Sequence, residues 1–406
     1  MMKIPTDMKS FTELSPWWRT TVPTEIVLSG DGTAELLAKL KERGRRSFFI
    51  ADGALREQPQ FAEIYGTAEL LAKLKERGRR PFFIADGALR EQPQFAEIFA
   101  QKDLFVFDAT FSEPRTGDVD SLRALIKGLA DEPDTVVGVG GGATMDLAKA
   151  VAICLANPEP AQRYQGYGLA MKKGADIWVL PALSGTGAEI TPIAVLRGPE
   201  KKLGINNPYT EATVAVIDPQ LSAGAPHFNR FFTMMDCYFH HYEIMMSRTS
   251  SPEAIEDAKD GLTLSREVLS HDLSAYDLGL AIKSAMASVL GGSSTIGGRV
   301  GAAHAISYGL SNSAPHLPHS VAVTISMSVL EDIYPDGYAD TRRFLKINGL
   351  EMPKASDYGI GAKDIEKMTH TALGMDKLWH SCFGDGWQET ATADYMEKIY
   401  RRIIEE

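Results

Sequence analysis

Thr135–Ile153 reads TVVGVGGGATMDLAKAVAI, a short valine-rich run, three glycines, then an apolar run broken by single polar residues. The first part is too short for a helix and apolar at nearly every position, which predicts a strand buried on both faces. The last part has helical spacing. A strand feeding a helix through a glycine turn is one step of a parallel α/β sheet. Gly140, Gly141 and Gly142 let the backbone come close to a pyrophosphate, with Ala143 at the helix start, where free N–H groups attract its charge. The spacing is not G-x-G-x-x-G, so the standard dinucleotide fingerprint is absent. Asp146 and Lys149 fall on the first turns of the helix, near where a cofactor would meet the domain, and Asp146 is a candidate for a cofactor contact and a catalytic part; a solvated helix face is the alternative for both.

The pattern continues on either side. LFVFDA (104–109), IWVLPAL (177–183) and ATVAVID (212–218) read as strands, and SLRALIKGLA (121–130) as a helix between them. After Asp218 only helical patterns follow, such as PEAIEDAKDGLTLSREVL (252–269) and DYMEKIYRRIIEE (394–406). We therefore expect an α/β domain over 1–218 and an all-helical domain over 219–406.

Residues 32–65 and 66–99 form a tandem duplication, differing only at Ser47/Pro81 and Tyr65/Phe99. Each copy reads as an amphipathic helix, a short strand (FFIAD) and a turn into a second helix. Two copies are too few for a solenoid. A parallel sheet has one slot for this strand, so one copy is expected in the sheet and the other as an extra α/β flap on its edge. The second copy, which adjoins the next strand LFVFDA, is favoured for the slot, and Pro81 does not exclude it, because it stands at the strand's start, where a missing N–H is tolerated.

The 406 residues carry a net charge of −11, with 44% apolar and 23% charged residues. That composition fits a soluble globular chain, and its sign argues against nonspecific nucleic-acid or anionic-membrane binding. Cys154, Cys237 and Cys382 are widely separated and match no metal spacing, consistent with free thiols in a reducing compartment. The N-terminal stretch lacks the apolar core of a signal peptide, and a cytoplasmic location is expected.

Further signals bear on chemistry. In FFTMMDCYFHHYE (231–243), Asp236 and His240 are one helical turn apart and can grip one ion together, whereas His241 points elsewhere. With the histidines at 304, 316 and 319 they could form a carboxylate–imidazole site suited to iron(II), zinc(II) or a similar ion. In LPALSGTGAEITPIAVL (180–196), Ser184 and Thr186 could hydrogen-bond a nucleotide, with Gly185 and Gly187 letting the loop fold back. FFIAD ends in Asp52 or Asp86, where a carboxylate at a strand tip can accept from an adenosine ribose and favour NAD over NADP.

With these motifs the chain resembles the iron-containing (group III) alcohol dehydrogenases, across its length apart from the extra repeat unit. The similar segments are GGGATMDLAKAVA (140–152), LSGTGAEITPIAVL (183–196), MDCYFHHYE (235–243) and GAAHAISYGLSNSAPHLPHSVAV (301–323). The resemblance implies a dehydroquinate synthase-like fold and a metal held by Asp236, His240, His304 and His319, with His316 as a fallback. It implies iron(II), or alternatively zinc(II), and a nicotinamide cofactor, NAD or NADP. Gly141, Gly142 and Ala143 would hold the pyrophosphate, Thr186 and Lys202 would contact nucleotide and ribose, and a homodimer is expected. GPEKKLGINNPYT (198–210) and the LW…GDGW pattern (378–387) look most like the branch that oxidises the terminal alcohol of 3-deoxy-octulosonate sugars, which implies an alcohol or aldehyde substrate of deoxy-sugar-acid type. Arg299 and Lys202 are candidates for a substrate carboxylate, with surface placement the alternative for each.

Three departures stand out. Tyr308 occupies a position where the family commonly has a second histidine; a hydroxyl there can orient the alcohol but relays protons poorly at neutral pH. Ala182-Leu183 replaces a pair of hydroxyl residues, and the duplication falls in the cofactor half. Two rival readings follow. One is a sugar-phosphate cyclase of the same superfamily, although GTGAEITP (185–192) stands where cyclases carry a DSSVGGK-like segment. The other is a non-catalytic relative that binds metal and nucleotide.

Overall fold

The computed structural model describes residues 25–30, 49–52, 66–109, 113–170 and 172–405. The chain divides into two compact units, 1–225 and 226–406. A short turn of helix, Pro219–Gly224, leads from Asp218 to that division.

In the first unit the strands are β1 (Glu25–Gly30), β2 (Phe49–Asp52), β3 (Pro81–Asp86), β4 (Leu104–Phe107), β5 (Thr135–Gly140), β6 (Gly166–Tyr167), β7 (Asp176–Pro181), β8 (Ile193–Arg197), β9 (Lys202–Asn206) and β10 (Val214–Ile217). Seven of them form a sheet in the order β2-β1-β10-β7-β5-β3-β4, and every pairing is parallel. Helices α1 (Gly66–Glu76), α2 (Thr116–Lys127) and α3 (Gly142–Cys154) connect them. All six residues of β5 are buried, as expected of an apolar strand covered on both faces. Phe83, Val137, Val139, Trp178, Leu180, Val214 and Val216 make one face's core, onto which α1 packs Leu70 and Leu74.

The two copies of the repeat both supply strands to this sheet. The second copy's β3 lies inside it, between β5 and β4. The identical tetrapeptide of the first copy, Phe49–Asp52, pairs with β1 as β2 and extends the opposite edge. An edge strand leaves one row of backbone N–H and C=O groups free, and a duplicated strand can satisfy them. Residues 32–48 and 53–65 of the first copy, including its expected helices, lie outside the described residues.

A small sheet, β6-β9-β8, holds an antiparallel β8–β9 hairpin that the strand reading passed over. Its signal was available: the short apolar run IAVL (193–196) is followed by a Gly-Pro pair that opens the turn.

The second unit is helical: α4 (His227–Met246), α5 (Pro252–Leu269), α6 (Leu278–Gly297), α7 (Ala302–Ser313), α8 (His319–Met327), α9 (Pro335–Ile347), α10 (Ile365–Leu373), α11 (Asp376–Phe383) and α12 (Ala393–Glu405). Helix α4 packs against α5, α6 and α8, and α7 packs against α8 and α10. Aromatic and apolar residues of α4 are buried on several sides, as befits a central helix. Among the described residues no helix is long and apolar enough to cross a membrane. Cys154, Cys237 and Cys382 are unbridged.

Candidate metal centre and nucleotide cradle

Two carboxylates of the central helix α4, Asp236 and Glu243, are buried among apolar neighbours. They are seven positions apart and so lie on one helix face, with His240 between them. Burying two anions is costly unless cations or donors meet them. Helix α7 brings His304 against the pair, and His319, the first residue of α8, comes from the other side. Asp236 Oδ1 is 3.5 Å from His304 Nε2 and 4.0 Å from His319 Nε2. The His240 and His304 rings stack, with centroids 4.8 Å apart.

Asp236, His240 and His304 each offer a ligand atom, and these atoms lie within 4.8 Å of one another. Asp236 Oδ1 and His304 Nε2 are buried and have no hydrogen-bond partner among the described residues. Buried polar atoms are rarely left unsatisfied, and a divalent cation would satisfy both at once. The residues therefore fit a metal of the carboxylate–imidazole class. His319 stands beside this group, whereas His316 is exposed.

The electrostatics favour the ligating form of two of the three residues. Burial pushes the Asp236 pKa upward, but the neighbouring His240, His319 and His304 outweigh it and hold the carboxyl well below the usual range. Burial lowers the His240 pKa, which favours the neutral, ligating imidazole. For His304 burial acts downward too, yet the Glu243 and Asp236 carboxylates push its pKa up to about 9 when no ion is present.

Glu243 was not singled out from sequence. It bonds His304 Nδ1 and accepts from Ala303 N at 2.7 Å. Its placement seven residues after Asp236, on the same face, was the available signal. His241 points away from the cluster, fully buried, with Nε2 donating to Ala287 O at 3.0 Å. Tyr308 sits one turn along α7 from His304, half-buried, its ring centroid 6.3 Å from that of His319.

In the first unit, Asp86, Gly140 and Pro181 end β3, β5 and β7, which are neighbours in the sheet. The loops that follow therefore gather at the carboxyl edge of the sheet, where open α/β folds bind ligands. Gly140 has φ of 152°, and a Cβ there would lie 2.9 Å from both Asp86 Cβ and Thr144 Oγ1. Gly141 faces open space, and a Cβ on Gly142 would meet Thr186 Oγ1 at 2.9 Å, so the two glycine-bearing loops touch. The first N–H groups of α3, including that of Ala143, have no partner within the helix and are available to an anion. Ser184 is partly exposed in the loop beside them. Asp86 caps the following turn, accepting from Ala88 N at 3.0 Å, and burial raises its pKa. Asp52, the sequence alternative, ends β2 at the far edge of the sheet.

Other candidates in this unit are occupied. Asp146 and Lys149 are not on a solvated face. Lys149 is fully buried and donates to Thr191 O at 3.0 Å and to Ile193 O at 3.1 Å. Asp146 accepts from Val195 N at 3.0 Å and lies 3.9 Å from Lys149; burial pushes its carboxyl up to about 6. Lys202 is likewise buried, bonded to the Glu113 carboxylate that also receives Arg197 at 2.6 Å. In the second unit, Arg299 is partly buried, its backbone N–H donating to Ser250 Oγ at 3.1 Å and its carbonyl accepting from Ser381.

A parallel α/β unit followed by a helical unit, shared with solved structures of this architecture, defines the class: a dehydroquinate synthase-like fold. Within it, residues 61–219 match the family model of the iron-containing alcohol dehydrogenases. The chain is 32% identical over 195 residues to long-chain-alcohol dehydrogenase 1 of Geobacillus thermodenitrificans, covering 46% of this chain and 48% of that one. It is 31% identical over 197 residues to sulfoacetaldehyde reductase of Bilophila wadsworthia, covering 47% and 50%. The chain thus spans about half the length of these curated relatives. The crystal structure of sulfoacetaldehyde reductase from Bifidobacterium kashiwanohense in complex with NAD+ shares the fold, with a TM-score of 0.72, 19% identity, and coverage of 95% of this chain and 98% of that one. The likeness to the iron-containing alcohol dehydrogenases thus rests on residues 61–219 and on alignments that cover about half of each chain.

Proposed function

We propose that the chain is a metal-dependent oxidoreductase that interconverts an alcohol and its aldehyde with a nicotinamide cofactor. The observation that carries this reading is the cluster of Asp236, His240 and His304, in which Asp236 Oδ1 and His304 Nε2 have no hydrogen-bond partner among the described residues. His319 is the fourth ligand in this reading, on its proximity to Asp236. When bound, the ion supplies the Lewis acidity that makes an alcohol proton easier to lose, and the nicotinamide accepts hydride.

The protein's own residues do the rest. Asp236 stays ionised and His240 neutral at neutral pH, while His304, charged in the absence of an ion, gives up its Nε2 proton as the ion binds. Glu243 holds the Nδ1 proton of His304, so that Nε2 presents its lone pair toward Asp236. Tyr308 is the proposed group that orients the alcohol by a hydrogen bond. Gly141, Gly142 and the N–H groups that open α3 would receive the pyrophosphate, with Ser184 and Thr186 lining the adjoining loop. Asp86 would accept from the adenosine ribose. We assign Asp146 and Lys149 to bracing α3 against β8, in place of a catalytic part for Asp146. Lys202 is assigned to the Glu113 ion pair in place of a nucleotide contact.

A polar substrate is favoured by the similarity to sulfoacetaldehyde reductase and by the resemblance to the deoxy-sugar-acid branch. Iron(II), a homodimer and a cytoplasmic setting are the expected accompaniments.

The test is metal analysis of anaerobically purified protein, with NAD(H) and NADP(H) turnover on a panel of alcohols, aldehydes and deoxy-sugar acids. About one divalent ion per chain, with ion and turnover both lost in Asp236→Ala, is the expected result. Turnover that survives metal stripping would refute the mechanism. Metal and nucleotide binding without turnover on any member would favour the non-catalytic reading.

A further inference from the structure

Helix α7, which carries His304, begins at Gly301, an N-cap with no side chain to accept the first free N–H groups. Left unmet in a buried setting, each such group is costly. Residues distant in sequence meet them instead. The Tyr334 hydroxyl accepts from Ala302 N at 3.1 Å, and Glu243 accepts from Ala303 N at 2.7 Å. The second Glu243 oxygen takes His304 Nδ1, so one carboxylate fixes both the start of the helix and the ring it presents. Tyr334 in turn donates to Cys382 Sγ at 3.4 Å, which sets the direction of its hydroxyl. A Cβ on Gly301 would sit 2.3 Å from the Tyr334 oxygen and 3.4 Å from Glu243 Oε1. Glycine at 301 is what gives both acceptors room.

We propose that Glu243 and Tyr334 act together as positioning residues that set the place, tautomer and metal affinity of His304, an inference that rests on the metal reading above. The two act by different routes. Glu243 touches the imidazole, fixing its proton on Nδ1 and enriching Nε2 as a donor. Tyr334 touches only the backbone and acts by preventing the first turn of α7 from pivoting. Losing Glu243 should therefore disturb both affinity and the electronic environment of the ion. Losing the Tyr334 hydroxyl should change affinity less and leave the donor set alone.

Cobalt(II) is the probe, since its visible absorption reports the ligand field independently of turnover. The full-length, metal-stripped protein is titrated with cobalt(II) against a competing chelator, for wild type, Glu243→Gln, Tyr334→Phe and the double variant. Expected is a loss of affinity of about 10–100-fold with a shifted spectrum in Glu243→Gln, and a several-fold loss with an unshifted spectrum in Tyr334→Phe. The double variant should lose less than the product of the two, because both side chains hold the same turn. A purely structural role would lower thermal stability and leave cobalt affinity and spectrum unchanged. That outcome in folded Glu243→Gln and Tyr334→Phe overturns the proposal while leaving the metal reading intact. Wild-type protein that takes up no cobalt overturns both. Tyr334→Phe keeps the ring and decides the matter should Glu243→Gln fail to fold.

Discussion

Replacing Gly261 by alanine is expected to destabilise the helical unit, although alanine is the better helix former. Gly261 lies in α5 where that helix meets the fully buried ring of His241. An alanine Cβ would stand 2.0 Å from His241 Cε1 and 2.2 Å from Nε2. The ring has little room to retreat, because Nε2 is bonded to Ala287 O at 3.0 Å on α6. Overpacking of this kind costs about 1–3 kcal/mol, and breaking the buried hydrogen bond adds about 1–3 kcal/mol. Removing a glycine from a helix returns about 1 kcal/mol. The net is a loss of about 3 kcal/mol, or roughly 6–12 °C in Tm for a unit of this size. Thermal unfolding followed by circular dichroism measures it. Gly291→Ala is the control, since a Cβ there meets the same ring at an ordinary 3.5 Å, and it should be neutral or slightly stabilising. In the double variant His241→Ala/Gly261→Ala the clash is gone, so the alanine at 261 should change from harmful to helpful. The reasoning fails if Gly261→Ala matches wild type, or if its penalty persists once the His241 ring is removed.

Three further outcomes are expected. His319→Ala should weaken cobalt(II) or zinc(II) binding by at least about tenfold, while His316→Ala leaves it unchanged; equal effects would reopen the choice of fourth ligand. Lys149→Met strands the carbonyls of Thr191 and Ile193 and the Asp146 carboxylate, and should cost about 3–5 kcal/mol; a variant as thermostable as wild type would refute the bracing role. Asp260 has its pKa raised to about 6 by burial and by the Glu256 charge one turn away. An acid raised on folding contributes stability fully below the unfolded value near 4 and loses it as pH rises through about 6. Asp260→Asn should therefore stabilise the protein at pH 7.5 more than at pH 4; a Tm difference that is the same at both pH values would contradict this.

Much of the candidate Asp/His cluster was legible in the sequence because its residues lie on helices. The Asp236–His240 spacing places both on one face whatever surrounds the helix, and the same periodicity sends His241 elsewhere. Glu243 belongs to that face but was passed over, since sequence alone does not say that a carboxylate is buried. The enclosure of Asp146, Lys149 and Lys202 was hidden for the same reason. Each could have been solvated on its own element, and only packing against β8 or Glu113 closes it in. The short β8–β9 hairpin was overlooked because it interrupts a run read as one alternating α/β series.

By itself the sequence determined the alternation of strand and helix up to Asp218, the glycine turn at 140–142 and the helical remainder. These follow from local periodicity and from conformations that only particular residues adopt. Tertiary structure alone decided where the repeated strand goes. Phe49–Asp52 and Phe83–Asp86 have the same residues and the same local preference, yet one pairs with β1 at the sheet edge and the other lies between β5 and β4. It likewise decided which histidine stands near Asp236. The spacing of His316 and His319 is compatible with either, and the packing of α7 and α8 against α4 brings His319 to Asp236 while leaving His316 exposed. Local sequence sets what a segment can be, and only the pairing and packing of distant segments sets what it touches.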